Sequence, residues 1–310
     1  MKTKILLIGL GVISKNYYNG LKSSSNLDLV GVCDINPNAF AKEIYSEIPF
    51  FIDYKEAENV LKPDLAIICT PPKNHGEIIA YFLNKRINVL VEKPATVNIG
   101  ELENLIALSR EKEVFFDCIF HWQYGSEVLY LQKHFQDFGN LLSVTTTVFD
   151  PYTVTQDQIA SGKLELCGVW LDSGVNILSM LSYFIPIESL RFIDKQISFD
   201  REYNLPTYAN LSLYSNNIPV DIVINWNTTN EYKRSQFIYD KGVMDICHTE
   251  QSIFFNGKLI FEDNSYPRLY HHYRNYFLLG NLQKLEPKFE SNMLSIHRAL
   301  FDINTKLNTI

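Results

Sequence analysis

The 310-residue chain has no C-x-x-C pair and no His/Cys cluster. Its five cysteines, Cys33, Cys69, Cys118, Cys167 and Cys247, are odd in number and widely spaced, which argues against a disulfide framework or a zinc site. Three of them fall inside apolar strand-like runs, where a thiol behaves as a small buried hydrophobe, so a reducing, cytoplasmic location is expected. Basic charge is scarce too. Lys and Arg number 28 against 35 Asp and Glu, a formal net charge of −7, and no basic run is present. That excludes the electrostatic footprint of a general nucleic-acid binder and gives an anionic membrane surface nothing to hold. Long apolar runs are missing as well. The stretch Ile5 to Ile13 falls far short of the roughly 20 residues of a membrane span. No small-x-small site follows it, so it reads as a strand rather than a signal peptide. Neither an internal repeat nor a low-complexity linker interrupts the chain.

What is present is the composition of a folded protein, 46% apolar and 20% charged. The length predicts two domains at about 100–200 residues each. A 13% aromatic share suits flat ligands or sugar rings.

The first 120 residues alternate short apolar runs with helix-length segments. The runs are Ile5–Gly9, Leu29–Asp34, Leu65–Thr70, Val89–Glu92 and Val114–Cys118, and the predicted helices include Asn38–Ser46, Glu77–Lys85 and Ile99–Lys112. Strands apolar nearly throughout are buried on both faces, and the alternation predicts a doubly wound parallel sheet of Rossmann type over residues 1–120. Asn98 before Ile99 is placed as an N-cap. Over 121–310 the rhythm changes. Helices are expected at Ser126–Phe138, Gly168–Phe184, Arg268–Gly280 and Pro287–Leu307, with a strand at Leu141–Phe149 and an irregular stretch over Pro151–Leu166. Strands with short turns fill Leu190 to Phe261, with hairpins at Asn216-Asn217 and Asn256-Gly257. This is the pattern of an α+β domain on a mostly antiparallel sheet.

Gly9-Leu-Gly11-Val12-Ile13-Ser14 follows the first strand and opens a helix. A dinucleotide site needs a tight turn at the first glycine and bare backbone at the second, so that a pyrophosphate can approach the helix N-terminus. The third position is Ser14 rather than Gly or Ala. Asp34 ends the second strand about 20 residues later, where an acid accepts the ribose hydroxyls and repels a 2′-phosphate. No Arg follows it, which favours NAD over NADP. Thr70-Pro71-Pro72 and His75 lie at the same carboxyl edge, where ligand contact and a rigid turn with a capping His are both open readings. Glu92-Lys93-Pro94 ends the fifth strand, and a lysine there is poorly explained as packing. Asp172 and Asn176 are four apart on a helix apolar almost all round, so these buried polar groups need partners or a polar pocket. Gly174 between them permits close approach. His121, Trp122 and Trp226 are each more readily core or surface than ligand contacts, and His271-His272, without a metal-binding companion, reads as surface.

Taken together these residues resemble the glucose–fructose oxidoreductase / inositol dehydrogenase (Gfo/Idh/MocA) family over almost the whole chain. The resemblance rests on the G-L-G-V-I start, Asp34, T-P-P-x-x-H ending at His75, E-K-P at Glu92–Pro94 and the D-x-x-x-N helix at Asp172. Further echoes are His121, a strand ending in Trp226, and Tyr266-Pro-Arg-Leu-Tyr270. Most members place His where this chain has Asn176, and the D-x-x-x-N variant is similar to bacterial D-galactose and L-arabinose 1-dehydrogenases. Those enzymes carry a Trp-rich stretch and a glutamate that the region Phe149 to Leu166 lacks, its nearby acids being Asp150, Asp157 and Glu165.

The resemblance implies a sugar held between a nicotinamide and the Asp172 helix, with hydride leaving carbon 1 and an aldonolactone as product. It implies cofactor contacts from Gly9, Gly11, Val12, Ile13, Asp34, Thr70, Pro71, Pro72, His75, Glu92 and Lys93. Substrate contacts are implied from His121, Asp150, Asp172, Asn176 and Trp226. An amide does not titrate, so the base falls to Asp172 or to neutral Lys93, with Asn176 and His121 orienting hydroxyls. Two other readings stand beside this one: oxidation of another sugar, sugar acid or nucleotide sugar at a different ring carbon, and a non-catalytic sugar- and NAD-binding regulator. No metal is expected. A homo-oligomer, dimer or tetramer, is expected through the second domain's open sheet face.

Overall fold

The computed structural model describes residues 2–152, 168–200, 204–279, 282, 285 and 292–308. The chain divides into two compact units, Met1–Ile119 with Tyr273–Leu294, and Phe120–His272 with Ser295–Ile310. The segment Tyr273–Leu294 thus groups with the first unit, although the sequence rhythm alone sets a single boundary near residue 120.

The first unit is a six-stranded parallel sheet. Its strands are β1 (Thr3–Ile8), β2 (Leu27–Cys33), β3 (Phe50–Phe51), β4 (Leu65–Ile68), β5 (Asn88–Glu92) and β6 (Phe116–Ile119), in the order β3-β2-β1-β4-β5-β6. That order reverses direction between β1 and β4, and such a switch point opens a crevice at the strands' carboxyl ends. Ile5 to Ile8, Leu65 to Ile68 and Val89 to Val91 are buried, as expected of a sheet covered on both faces. Each such aliphatic side chain contributes about 1.5–3 kcal/mol by leaving water. Cys33, Cys69 and Cys118 are free and buried among them.

Helices α1 (Ser14–Leu21), α2 (Lys42–Tyr45), α3 (Tyr54–Leu61), α4 (His75–Asn84) and α5 (Ile99–Lys112) make the crossovers. Asn98 caps α5, its side chain accepting from the Glu101 amide at 2.8 Å. Asn38–Ser46 is not one helix. Pro37–Ala39 forms a 3-10 turn, and Phe40 and Ala41 are extended before the four-residue α2. The Phe40 ring packs instead on Phe50 and Tyr45. Helix α3 was not anticipated, although Asp53 caps it by accepting from the Lys55 amide at 2.8 Å.

The second unit carries α6 (Ser126–His134), β7 (Leu141–Phe149), a π-helical turn Trp170–Gly174 leading into α7 (Val175–Leu181), and strands β8 (Leu190–Phe199) to β14 (Lys258–Glu262). Between the last two lie β9 (Pro206–Ser215), β10 (Ile218–Asn225), β11 (Tyr232–Tyr239), β12 (Gly242–Cys247) and β13 (Ser252–Phe255). The sheet order is β14-β13-β12-β11-β7-β10-β9-β8, antiparallel throughout except for β7 beside β10. Asn216 turns between β9 and β10, and Asn256-Gly257, both at positive φ, between β13 and β14, as the hairpin signals predicted. Helix α8 spans Arg268–Leu279 and α9 spans Asn292–Asn308. Asp157, Glu165 and Cys167 lie outside the described residues. Among the described residues no helix is long and apolar enough to cross a membrane.

Gly174 does permit a close approach, from within its own helix. A Cβ there would stand 2.5 Å from the Trp170 ring, whose indole N–H donates to the Leu300 carbonyl at 2.9 Å. The predicted helix therefore opens as a π turn, widened around a tryptophan.

Candidate functional site

In the first unit the site elements gather at the carboxyl ends of β1, β4 and β5. Gly9 has φ +91°, and a Cβ there would lie 2.7 Å from the Cys69 carbonyl carbon and the Thr70 nitrogen. Only glycine lets the end of β1 pass so near the end of β4. Gly11 differs: a Cβ would meet nothing within 4 Å, so its backbone faces open space before α1. Ser14 at the third position is explained locally. Its hydroxyl donates to the Gly11 carbonyl at 2.7 Å and accepts from Tyr45 at 3.0 Å.

Asp34 is aimed by backbone. Its carboxylate accepts from the Leu10 amide at 2.7 Å and the Asn36 amide at 2.8 Å, which leaves lone pairs for further donors. Val12, 88% exposed, and Ile35, 87% exposed, flank it as bare apolar side chains. The hydroxyl oxygen of Thr70 is buried and takes no hydrogen bond. A glycine backbone open at a helix N-terminus, an oriented acid, two exposed aliphatics and an orphaned hydroxyl fit a dinucleotide, with Gly9 to Ile13 able to hold phosphate and Asp34 ribose.

His75, Pro72 and Glu92 are placed differently from direct contacts. Pro72 is buried where it opens the 3-10 turn Pro72–Asn74 after Pro71. His75 is fully buried, with Nε2 at 2.7 Å from the Thr70 carbonyl and Nδ1 at 3.0 Å from the Pro94 carbonyl. It joins the loop after β4 to the loop after β5. Burial lowers its pKa, against the pull of those carbonyls. Glu92 is buried and accepts from the Tyr273 hydroxyl at 2.6 Å and the Lys93 amide at 2.5 Å, beside a cis Lys93–Pro94 bond. Burial first, then the Glu92 charge, raises the pKa of Tyr17, Cys69, Cys118 and Tyr273, so a carboxylate is ringed by groups that keep their protons. Glu92 and His75 thereby position Lys93 and Thr70. Tyr273→Phe is expected to lower stability by about 1–3 kcal/mol, because it strips a hydrogen bond from a buried carboxylate. An unchanged urea midpoint would show that Glu92 does not depend on that hydroxyl.

In the second unit Asp172 lies in the π turn and Asn176 in the first turn of α7, each 9% exposed. Asn176 Nδ2 donates to the Asp172 carbonyl at 3.4 Å, and Asn176 Oδ1 is buried without a partner. Trp226 is fully buried and supports this turn from beneath, its indole N–H donating to the Ser173 hydroxyl at 3.4 Å. The ring that packs on Trp226 at 5.3 Å is Tyr152, which sequence reasoning missed. Burial, then the charges of Asp172 and Asp150, push the Tyr152 phenol far up, while Arg268 opposes them. The phenol therefore remains a donor.

Asp150 is engaged in an ion-pair chain. Lys233, buried, donates to Asp150 at 2.5 Å and also to Glu231, which accepts from Arg268 at 2.6 Å. The strand alternation held the signal for Lys233. It falls on the inward face of β11 between Tyr232 and Arg234, which face outward. His271 and His272 are buried, not on the surface. Nδ1 of His272 is 3.0 Å from Nδ1 of His121, and His271 meets Gln251 at 2.6 Å. Both are buried because the start of α8 turns them into polar partners of its own unit. Among the described residues no group of three His, Cys, Asp or Glu could hold a metal.

A family model, GFO_IDH_MocA, described as an oxidoreductase family with an NAD-binding Rossmann fold, matches residues 3–119. Over residues 3–119 the chain is thus similar to the Gfo/Idh/MocA oxidoreductase family. The chain is 27% identical over 217 residues to glucose-6-phosphate 3-dehydrogenase of Bacillus subtilis (strain 168), covering 66% of this chain and 59% of that protein. It is 21% identical over 207 residues to myo-inositol 2-dehydrogenase of Thermotoga maritima, covering 64% and 60%. The chain thus matches about three fifths of the length of these curated relatives. Its fold is similar to a solved oxidoreductase from Agrobacterium radiobacter in complex with NAD+, L-tartaric acid and magnesium, with TM-score 0.80, 11% identity and coverage of 99% and 97%. The matched stretch contains the glycine turn Gly9 to Ile13 and Asp34. The narrower likeness to galactose and arabinose dehydrogenases is not what these relatives single out.

Proposed function

We propose that the protein is an NAD-dependent oxidoreductase that removes hydride from a carbon bearing a hydroxyl on a sugar or polyol, carbon 1 of an aldose being the form suggested by Asn176. The observation that carries the reading is the open Gly11 backbone together with the oriented Asp34 carboxylate in the first unit; the second unit, taken by itself, holds a buried Asp172–Asn176 turn with an orphaned acceptor.

Bound NAD supplies the hydride acceptor. The loop from Gly9 to Ile13 would hold its phosphates and Asp34 its ribose. Asp172 takes the hydroxyl proton as the carbon–oxygen double bond forms, and Lys93, held by Glu92, is the alternative base. Asn176 cannot titrate and orients a hydroxyl through its free Oδ1. At carbon 1 of an aldose the product is an aldonolactone. The names of the two curated relatives favour a second reading, oxidation at a ring carbon such as 2 or 3. Free aldoses and inositol with NAD, followed by absorbance of reduced cofactor and product identification, separate these outcomes. Cofactor binding without reduction on any substrate would leave the regulator reading.

Asp172→Asn is expected to reduce turnover by about 10²–10⁴-fold while NAD binding persists. Retained turnover would exclude Asp172 as the base. By the same resemblance we propose a homo-oligomer, to be read by light scattering of the intact chain.

A further inference from the structure

We infer that Ser14 and Tyr45 are a pair of positioning residues for the cofactor's pyrophosphate: a hydrogen-bond chain from the Tyr45 hydroxyl through the Ser14 hydroxyl to the Gly11 carbonyl aims the Val12 amide at phosphate. The inference rests on the reading of Gly9 to Ile13 as a dinucleotide cradle and adds what sets its aim.

The third position of such a turn ordinarily holds Gly or Ala, which lets helix and strand pack closely. Ser14 is buried all the same and brings a hydroxyl with it. That hydroxyl has one proton, which goes to the Gly11 carbonyl at 2.7 Å. A carbonyl only accepts, so the direction is fixed, and the Tyr45 phenol must donate to Ser14 Oγ, at 3.0 Å. Burial raises the Tyr45 pKa, so the phenol keeps the proton it donates. The Ser14 backbone amide donates to the same Gly11 carbonyl at 3.1 Å.

Peptide geometry carries this to the ligand side. In a trans peptide the Gly11 carbonyl and the Val12 N–H point in opposite directions. Two donors from Ser14 draw the carbonyl toward α1, so the Val12 N–H points out beyond the helix N-terminus, where anions are favoured. Among the described residues this amide has no acceptor, and a Cβ at Gly11 would meet nothing within 4 Å.

Tyr45 is itself held in place. It is buried, its ring edge-on to Tyr18 at 5.3 Å and stacked on Phe40 at 6.2 Å, and Phe40 rests on Phe50 at 5.0 Å. The break in the helix expected over Asn38–Ser46 thus has a use, since extended backbone at Phe40 and Ala41 leads into the short α2 that carries Tyr45. The glycine turn is fastened a second time where Asp34 accepts from the Leu10 amide at 2.7 Å. Both fastenings come from the chain that follows β2, so one segment fixes the ribose side and the phosphate side of the cradle together.

The test is NADH fluorescence titration of the intact chain, with urea unfolding alongside. Ser14→Ala is expected to weaken NADH binding about tenfold, and Tyr45→Phe about threefold, because removing the outer member of a hydrogen-bond chain weakens the inner bond. Tyr45 acts only through Ser14, so the double variant should bind NADH as Ser14→Ala alone does. The double variant also removes both ends of the Tyr45–Ser14 bond at once, which leaves no buried phenol without its acceptor and preserves the fold. ADP-ribose should lose affinity in the same proportion, whereas adenosine, which carries no phosphate, should bind all four proteins alike by calorimetry. Unchanged NADH affinity in Ser14→Ala, or losses that multiply in the double variant, overturns the chain and leaves the NAD reading intact. An equal loss for adenosine overturns the aim at phosphate. A wild-type chain that binds neither NADH nor ADP-ribose removes the NAD reading and the inference with it.

Discussion

Gly9→Ala and Gly11→Ala are expected to fail in opposite ways. At Gly9 the added methyl would sit 2.7 Å from backbone atoms of Cys69 and Thr70, at a φ of +91° that L side chains rarely adopt. Neither neighbour can rotate away, since both contacts are main chain between buried parallel strands. A left-handed conformation costs about 1–2 kcal/mol for a non-glycine residue, and overpacking adds about 1–3. Gly9→Ala should therefore lose about 2–5 kcal/mol of stability, read as a shifted urea midpoint. At Gly11 the methyl meets no protein atom, so stability should hold. It occupies the approach to the N-terminus of α1, where anions are favoured by free amides and the helix dipole. NAD affinity should then fall, by about a hundredfold if close backbone approach is what Gly11 provides. Equal NAD affinity in Gly11→Ala, measured by fluorescence titration of NADH, would remove the phosphate role from this turn.

The contrast between these two glycines shows what a sequence makes legible. G-x-G after an apolar strand marks both positions, but only the structure separates a packing requirement from an open cradle. The parallel sheet and the antiparallel sheet were readable because buried strands keep their own signatures, continuous in one unit and alternating in the other. The α5 cap at Asn98 and the Asn256-Gly257 hairpin were readable because their chemistry is local. What escaped was non-local. Tyr273 finds Glu92 across 181 positions and Lys233 finds Asp150 across 83, so no spacing rule reveals either pair. Trp226 was a substrate contact by resemblance, yet it is fully buried just past the end of β10, its indole N–H donating to the Ser173 hydroxyl. His271 and His272 looked exposed because their partners, Gln251 and His121, lie far away in sequence.

That same burial of imidazoles predicts acid-sensitive folding. His75 in the first unit and His272 in the second are both buried, and burial is the largest cause lowering each pKa. For His272 the neighbouring His121 and Arg268 act in the same direction. In the unfolded chain an imidazole binds a proton near pH 6.5, whereas in the folded chain these two bind only at lower pH. Between those values the unfolded state holds more protons, so stability rises with pH there. It is full above about pH 6.5 and is lost as pH falls, by up to about 1.4 kcal/mol per pH unit for each imidazole. Glu231 and Asp263, whose pKa values are lowered, add their loss only below the ordinary carboxylate range, so the window from about pH 6.5 to 5 isolates the histidines. Urea unfolding at steps across this window should show a falling midpoint. His272→Asn, which can keep a polar atom facing His121, should flatten the slope by one imidazole's share. A midpoint constant from pH 7 to 5 would mean that neither ring is held neutral, and that His121 and His272 share a proton in the folded protein instead.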